Sequence, residues 1–303
     1  MTRDSGRRIG VGVGLALAMM VVAGPAAQDA AWRASVERWR QAREAALKAD
    51  DGWLTVAGLF WLNNGQNRFG ADRANEIVLP AGSTPVRAGT FVFADGRTTV
   101  DAAPGVRLLV NGTPVERAEL RADNAGRPDT ISLGRLTMFL IQRGNRYGVR
   151  LRDPENPRRR AFSGLSWFPV REACRVTARF LPGPPGRTVP ILNVLGQVEE
   201  MPSPGTAVFT LGGQEYRLDP VLESPGSRRL FFIFRDKTSG RETYGAGRFL
   251  YTDLPMDGRV VLDFNRAENP PCAFTDFATC PLPPRRNWLA VAIEAGEKYR
   301  GRE

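Results

Sequence analysis

The 303-residue chain carries 42 Lys+Arg against 32 Asp+Glu, a formal charge of +10, three cysteines and no histidine. The missing histidine excludes a Ser-His-Asp or Cys-His nucleophile, a His-ligated zinc or iron site and an imidazole pH switch. The 32 glycines and 23 prolines imply many turns and few long helices, while the length suits one large domain or two ordinary ones, either able to bury a core.

Residues 1–27 read as a secretion signal. Arg3, Arg7 and Arg8 form a basic start, Ile9 to Ala23 an apolar stretch, and Ala26 and Ala27 a small-residue cleavage region. A membrane helix needs roughly 20 apolar residues, and this stretch is shorter and interrupted by Gly10, Gly12 and Gly14. The mature protein is therefore expected to be exported, periplasmic or secreted, with no transmembrane segment. Removing the signal leaves a charge of +8 spread along the chain, with Arg158-Arg159-Arg160 as its one run. That run reads as solvated surface, and without a recognition helix or a stacking platform no nucleic acid is expected as a partner.

Ala30 to Ala49 places Trp32, Val36, Trp39, Ala42, Ala46 and Leu47 on one side at helical spacing, predicting one substantial helix within 28–50. From Trp53 the periodicity becomes that of strands. Trp53 to Leu62 is apolar on both alternating faces, as in a strand covered on both sides. Shorter strands follow at 76–79, 89–94, 97–101 and 106–110, and Asn111-Gly112 supplies the positive φ of a tight hairpin into 114–116. Arg143-Gly144-Asn145 joins strands at 136–142 and 146–151.

The polar segment Asp153 to Arg160, with Pro154 and Pro157, reads as a bridge between lobes. Beyond it, strands are predicted near 174–181, 189–195, 206–211, 214–218, 229–235, 244–251 and 259–264. The fold class is all-β, mainly antiparallel, with one N-terminal helix after the signal peptide and two packed β-sandwich or barrel-like lobes, 51–155 and 161–303.

In an oxidising compartment Cys272 and Cys280 are expected to form a disulfide closing a proline-braced loop, worth about 2.5 kcal/mol by loop entropy. A redox-active pair would place only two residues between its cysteines. Cys174, in the alternating run 174–180, reads as a buried thiol.

The chemistry open to a histidine-free chain concentrates near the C-terminus. Asp263 with Glu297 or Glu294 could supply two carboxyl groups for glycoside hydrolysis. Tyr244, Arg248, Asn265 and Asn269 are the ligand-binding candidates, because Asp263 and Asn265 project the same way from a strand end and Arg248 follows a glycine-flanked turn. The competing reading is structural. Asp263, Asn265 and Asn269 would satisfy the backbone of a donor-poor proline loop, and Arg248 would pair with a carboxylate. Oxygen-ligated calcium around Asp257 or Asp263 is the minor alternative, but no twelve-residue calcium loop is present, and no metal or cofactor is expected.

Asn67 to Leu140 resembles a forkhead-associated (FHA) β-sandwich, through Arg68-Phe69-Gly70, Asn75-Glu76-Ile77-Val78-Leu79-Pro80, Val110-Asn111-Gly112 and Thr130-Ile131-Ser132-Leu133-Gly134 in that order. The family's phosphothreonine reader needs an Arg after the Gly and a Ser followed by His. Here Ala71 follows Gly70 and histidine is absent, so no phosphopeptide is expected.

A second resemblance rests on Gly52-Trp53-Leu54-Thr55, Gly58-Leu59-Phe60-Trp61-Leu62, Trp167-Phe168-Pro169 and Thr243-Tyr244-Gly245-Ala246-Gly247-Arg248. It continues through Asp263-Phe264-Asn265-Arg266-Ala267, Asn269-Pro270-Pro271-Cys272-Ala273-Phe274, Cys280-Pro281-Leu282-Pro283-Pro284 and Ala295-Gly296-Glu297-Lys298. Together these resemble the bacterial family of domain of unknown function 1684, with Glu268 standing where the pattern has an aromatic residue. The resemblance implies no settled activity. Two readings follow: an exported binding or structural module for an unknown small molecule or envelope component, and a small carboxylate-dependent hydrolase.

Overall fold

Twenty-four consecutive residues, Pro25–Lys48, form helix α1 in a computed structural model that describes residues 25–301 other than Pro225. Residues 1–24 of the expected signal lie outside the described residues. The helix buries Trp32, Val36, Arg40 and Leu47, with Arg43 and Glu44 half-buried, whereas Ala42 and Ala46 face solvent. The inward stripe thus keeps its helical spacing but exchanges the expected alanines for arginines. Arg40 stacks on Trp167 at 4.9 Å and donates from Nη2 to the Phe168 carbonyl at 2.8 Å. Its methylene stem covers apolar surface while the head group finds an acceptor, which a short alanine cannot do.

The first lobe is two sheets face to face. Strands β1 (Val56–Trp61), β2 (Gly65–Gly70), β3 (Ile77–Val78), β4 (Gly89–Ala94), β5 (Arg97–Ala102) and β6 (Leu108–Val110) come first. They are followed by β7 (Thr113–Val115), β8 (Arg117–Leu120), β9 (Ile131–Leu133), β10 (Leu136–Arg143) and β11 (Arg146–Arg152). One sheet runs β1-β11-β10-β9-β6-β7 and the other β3-β2-β4-β5-β8, antiparallel except for the β2/β3 pair. Phe69, Phe91, Val100, Ile131, Met138, Val149 and Leu151 fill the space between them. Period-two alternation drives this arrangement, since every second side chain of each strand leaves water. Asn111 and Gly112 sit at φ 51° and 83°, making the two-residue turn between β6 and β7. Trp53–Thr55 is a 3-10 turn, not the start of the strand, which begins at Val56.

The segment expected as a polar bridge between lobes holds helix α2 (Pro157–Ala161), capped by the Asn156 side chain on the Arg158 N–H at 3.1 Å. Its arginines are paired rather than simply solvated: Arg158 with Asp276 (2.7 Å), Arg159 with Asp50 (2.7 Å) and Arg160 with Glu155 (3.3 Å).

The second lobe contains β12 (Ser166–Trp167), β13 (Arg175–Pro182), β14 (Thr188–Leu192), β15 (Val198–Pro202) and β16 (Gly205–Leu211). It continues with β17 (Gln214–Leu218), β18 (Arg229–Phe234), β19 (Arg248–Asp253), β20 (Arg259–Asp263) and β21 (Glu297–Lys298). Its main sheet runs β17-β16-β13-β20, joined by the antiparallel pairs β18-β19, β14-β15 and β12-β21. Phe209, Phe232, Phe234, Leu250, Leu262 and Phe264 build its core. Among the described residues the sheets remain open, so the sandwich alternative holds and a closed barrel does not. No described helix is long and apolar enough to cross a membrane.

Candidate functional site

The expected site residues fall into three separate networks. In the first, Asp263 ends β20 and caps the 3-10 turn Phe264–Arg266. Its Oδ2 accepts from Trp32 Nε1 at 2.8 Å, and its Oδ1 accepts from the Asn265 backbone N–H at 3.2 Å and side-chain Nδ2 at 2.9 Å. Asn265, with no exposed surface, also accepts from the Arg171 N–H and donates to the Arg171 carbonyl, both at 2.8 Å.

The second network surrounds Arg248, which opens β19 and is wholly buried. Its Nη1 donates to Asp236 Oδ2 at 3.0 Å and to the Ile293 carbonyl at 2.9 Å, and its Nη2 donates to the Ala295 carbonyl. Burial pulls its pKa down, opposed by Asp236. The glycines near it make room for protein rather than ligand. A Cβ at Gly296, where φ is 81°, would stand 2.4 Å from the Ala267 carbonyl oxygen and 2.8 Å from Arg248 Nη2.

The third network joins Asn269 to Glu297. Asn269 Nδ2 donates to Glu297 Oε1 at 2.9 Å and to the Lys298 carbonyl at 3.1 Å, while its Oδ1 accepts from the Tyr244 N–H at 3.3 Å. The Tyr244 ring meets Tyr299 edge-on at 5.1 Å. From α1, Arg43 Nε reaches Glu297 Oε2 at 3.5 Å and Glu268 Oε2 at 3.4 Å, and its Nη2 donates to the Asn269 carbonyl at 2.9 Å. Full burial pushes the Glu297 carboxyl up to about 7, against Arg43 and Asn269, which favour its charged form. Burial raises Glu268 as well.

Asp263 and Glu297 line different hollows. Asp263 belongs to a cavity of about 710 Å³ with Trp32, Trp39, Arg266 and Glu268, and Glu297 to one of about 120 Å³ with Asn269, Phe274 and Tyr299. Glu294 is instead half-exposed and paired with Arg171 at 2.9 Å. Cys272 and Cys280 meet as expected, but through a hydrogen bond: the Cys272 N–H donates to Cys280 Sγ at 3.1 Å, and no bond joins the sulfurs. The Cys272 thiol and burial raise the pKa of Cys280. Cys174 is buried, and burial raises its pKa too.

A third cavity, of about 490 Å³, escaped the reading of the sequence. It opens between the first lobe, α1 and the second lobe, with Arg43, Trp53, Arg143, Arg150, Tyr251 and Glu268 among its walls. Arg150 lies on β11, where 146, 150 and 152 share a face opposite the core residues Val149 and Leu151. Alternating arginine reads as a solvent face. The second lobe covers that face, however, leaving Arg150 only 4% exposed, 5.2 Å above Trp53 and 5.9 Å from Phe139.

These features define a two-lobed β protein with a buried seam between lobes. Residues 160–298 match the family model described as Protein of unknown function (DUF1684). The motif at Gly52–Leu62 falls outside the matched span. Among solved structures, an uncharacterised protein of Haloarcula marismortui is 34% identical, with 48% of this chain and 82% of that one covered, at a TM-score of 0.40. The FhaA FHA domain, complexed with the intracellular domain of Rv3910, is 17% identical over 31% of this chain and 97% of that one, at a TM-score of 0.23. The FHA-2 domain of the Mycobacterium tuberculosis ABC transporter Rv1747 is 20% identical over 46% and 97%, with the same score. No curated protein matches the chain.

Proposed function

We propose that this protein is exported and serves outside the cytoplasm as a β-rich binding module, with its ligand site in the cavity between the lobes. The observation carrying this reading is that cavity's composition: about 490 Å³, walled by Trp53, Phe231, Phe249, Ile191 and Met201 together with three arginines and three glutamates. Small-molecule sites have this size and combine aromatic and apolar walls with polar groups that orient the ligand. The sequence supports export through the basic, apolar and small-residue succession of residues 1–27. In an oxidising compartment Cys272 and Cys280, already in contact, would join as a disulfide beside the cavity that Cys280 lines.

Screening the mature protein for thermal shifts against small anions, envelope sugars, lipids and metal ions tests the module. At least one small molecule should raise the melting temperature, and its effect should weaken when Trp53 is replaced by Ala. A screen without any stabilising compound would overturn the reading. One observation favours the second reading, a carboxylate-dependent hydrolase: Glu297 is pushed up to about 7, the range suited to a general acid. Against it, Glu297 is fully buried and both its oxygens face protein donors. Turnover of nitrophenyl glycosides that disappears in Glu297→Gln would establish it.

A further inference from the structure

We infer that the cavity between the lobes takes a ligand bearing a single small oxyanion, carboxylate or phosphate, which docks on Arg150 beside Arg143 and carries an uncharged apolar or aromatic body. This inference rests on the binding-module reading and names the chemistry of its ligand.

Arg150 is a buried cation without a matching acid. At 4% exposure, its Nε and Nη2 have no hydrogen-bond partner, and its ring contacts are with Trp53 and Phe139. Burial is the main influence on it, and Arg143 and Arg152 add repulsion, drawing its pKa down to about 10. Asp123 is the nearby acid, but it is paired with Arg143 and not with Arg150: its Oδ2 accepts from Arg143 Nη1 and its Oδ1 from the Gln142 N–H, each at 2.8 Å. Cys280 offers no thiolate: as a thiol it is kept protonated by its neighbour Cys272 and its own burial, and in a disulfide it carries no charge. Removing a guanidinium from water without an acceptor is costly, and an incoming oxyanion would repay that cost with charge-assisted, forked hydrogen bonds. Arg143, at the end of the neighbouring strand β10, also lines the cavity, held by its Nε donating to Thr279 Oγ1 across the seam at 2.9 Å and by its ion pair with Asp123.

The remaining walls restrict what the anion is attached to. Glu199 and Glu223 are exposed where they line the cavity, Glu223 accepts from the Tyr251 hydroxyl at 3.1 Å, and Glu268 faces Arg43 at 3.4 Å. These acids repel a second negative charge, which disfavours nucleic acids and other polyanions. Trp53, Phe231 and Phe249 offer ring faces and edges to an apolar body.

The test uses the mature protein in a phosphate-free buffer with phenyl phosphate, benzoate and, as the uncharged control, benzyl alcohol. Melting temperature and tryptophan fluorescence are read for the wild type, Arg150→Met and Arg150→Lys. Both anions should stabilise the wild type and change its fluorescence. Benzyl alcohol should bind roughly ten- to a hundredfold more weakly. Arg150→Met should lose the response to anions while melting no lower than the wild type, because it removes an uncompensated buried charge. Arg150→Lys, which keeps the charge without the fork, should retain part of the response and provides the comparison if the methionine variant does not fold. Equal binding of benzyl alcohol and the anions would overturn the oxyanion and leave the module standing. Anion binding that persists in both variants would also overturn it. If no probe binds the wild type, the oxyanion fails, while the module fails only if the broader screen of sugars, lipids and metal ions is also empty.

Discussion

Replacing Asp263 by Ala removes the acceptor that fastens helix α1 to the end of β20. Three donors lose their partner: Trp32 Nε1 at 2.8 Å, Asn265 Nδ2 at 2.9 Å and the Asn265 N–H at 3.2 Å. Trp32 is 8% exposed and Asn265 is fully buried, so water compensates little. A hydrogen bond to a charged acceptor is worth about 1.5–3 kcal/mol, but two of these three share one oxygen and one partner residue, which limits the total to about 3 kcal/mol. For a chain of this size that corresponds to a melting temperature lower by roughly 5–10 °C. Calorimetry of the wild type, Asp263→Ala and Asp263→Asn measures it, with the asparagine variant between the other two because it keeps an acceptor and loses the charge. A melting temperature within about 1 °C of the wild type, together with loss of ligand response or turnover, would refute the structural assignment and return Asp263 to the site.

Asp236→Ala should cost about 3–5 kcal/mol in urea denaturation, since it strands Arg248 with no carboxylate; adding Arg248→Met should recover much of that loss. For Glu297, the folded pKa of about 7 lies above the reference 4.5, so its neutral form contributes stability fully below pH 4.5 that is lost as pH rises through 7. The loss amounts to about 3 kcal/mol, and Glu297→Gln should flatten that part of the stability–pH curve measured by denaturant melts. Changing Cys272 and Cys280 together to Ser should destabilise exported, oxidised protein by about 2.5 kcal/mol. Thiol labelling of both cysteines in folded, non-reduced material would contradict the disulfide.

Local chemistry was legible where neighbours in sequence are neighbours in space. Asn111-Gly112 announces its turn because few residues tolerate two successive positive φ angles, and the structure has 51° and 83° there. Asp263 and Asn265, two positions apart, do converge, side chain on side chain. Helix α1 was legible as a helix but its inward face was misread, because hydropathy ranks Ala42 and Ala46 above Arg40 and Arg43 and takes no account of the acceptors awaiting those guanidinium groups.

The sequence by itself determined the strand-dominated class, the hairpin turns, the N-terminal helix and the exclusion of histidine chemistry, all consequences of composition and short-range periodicity. Only the tertiary structure decided what the polar residues face. Trp32 meets Asp263 across 231 positions, and Arg43 meets Glu297 across 254. Arg150 sits on a strand whose alternation predicts a face in water, and it is buried because a second lobe closes over that face. A strand's pattern records which side chains share a side; whether that side meets solvent or protein depends on packing between segments far apart in the chain.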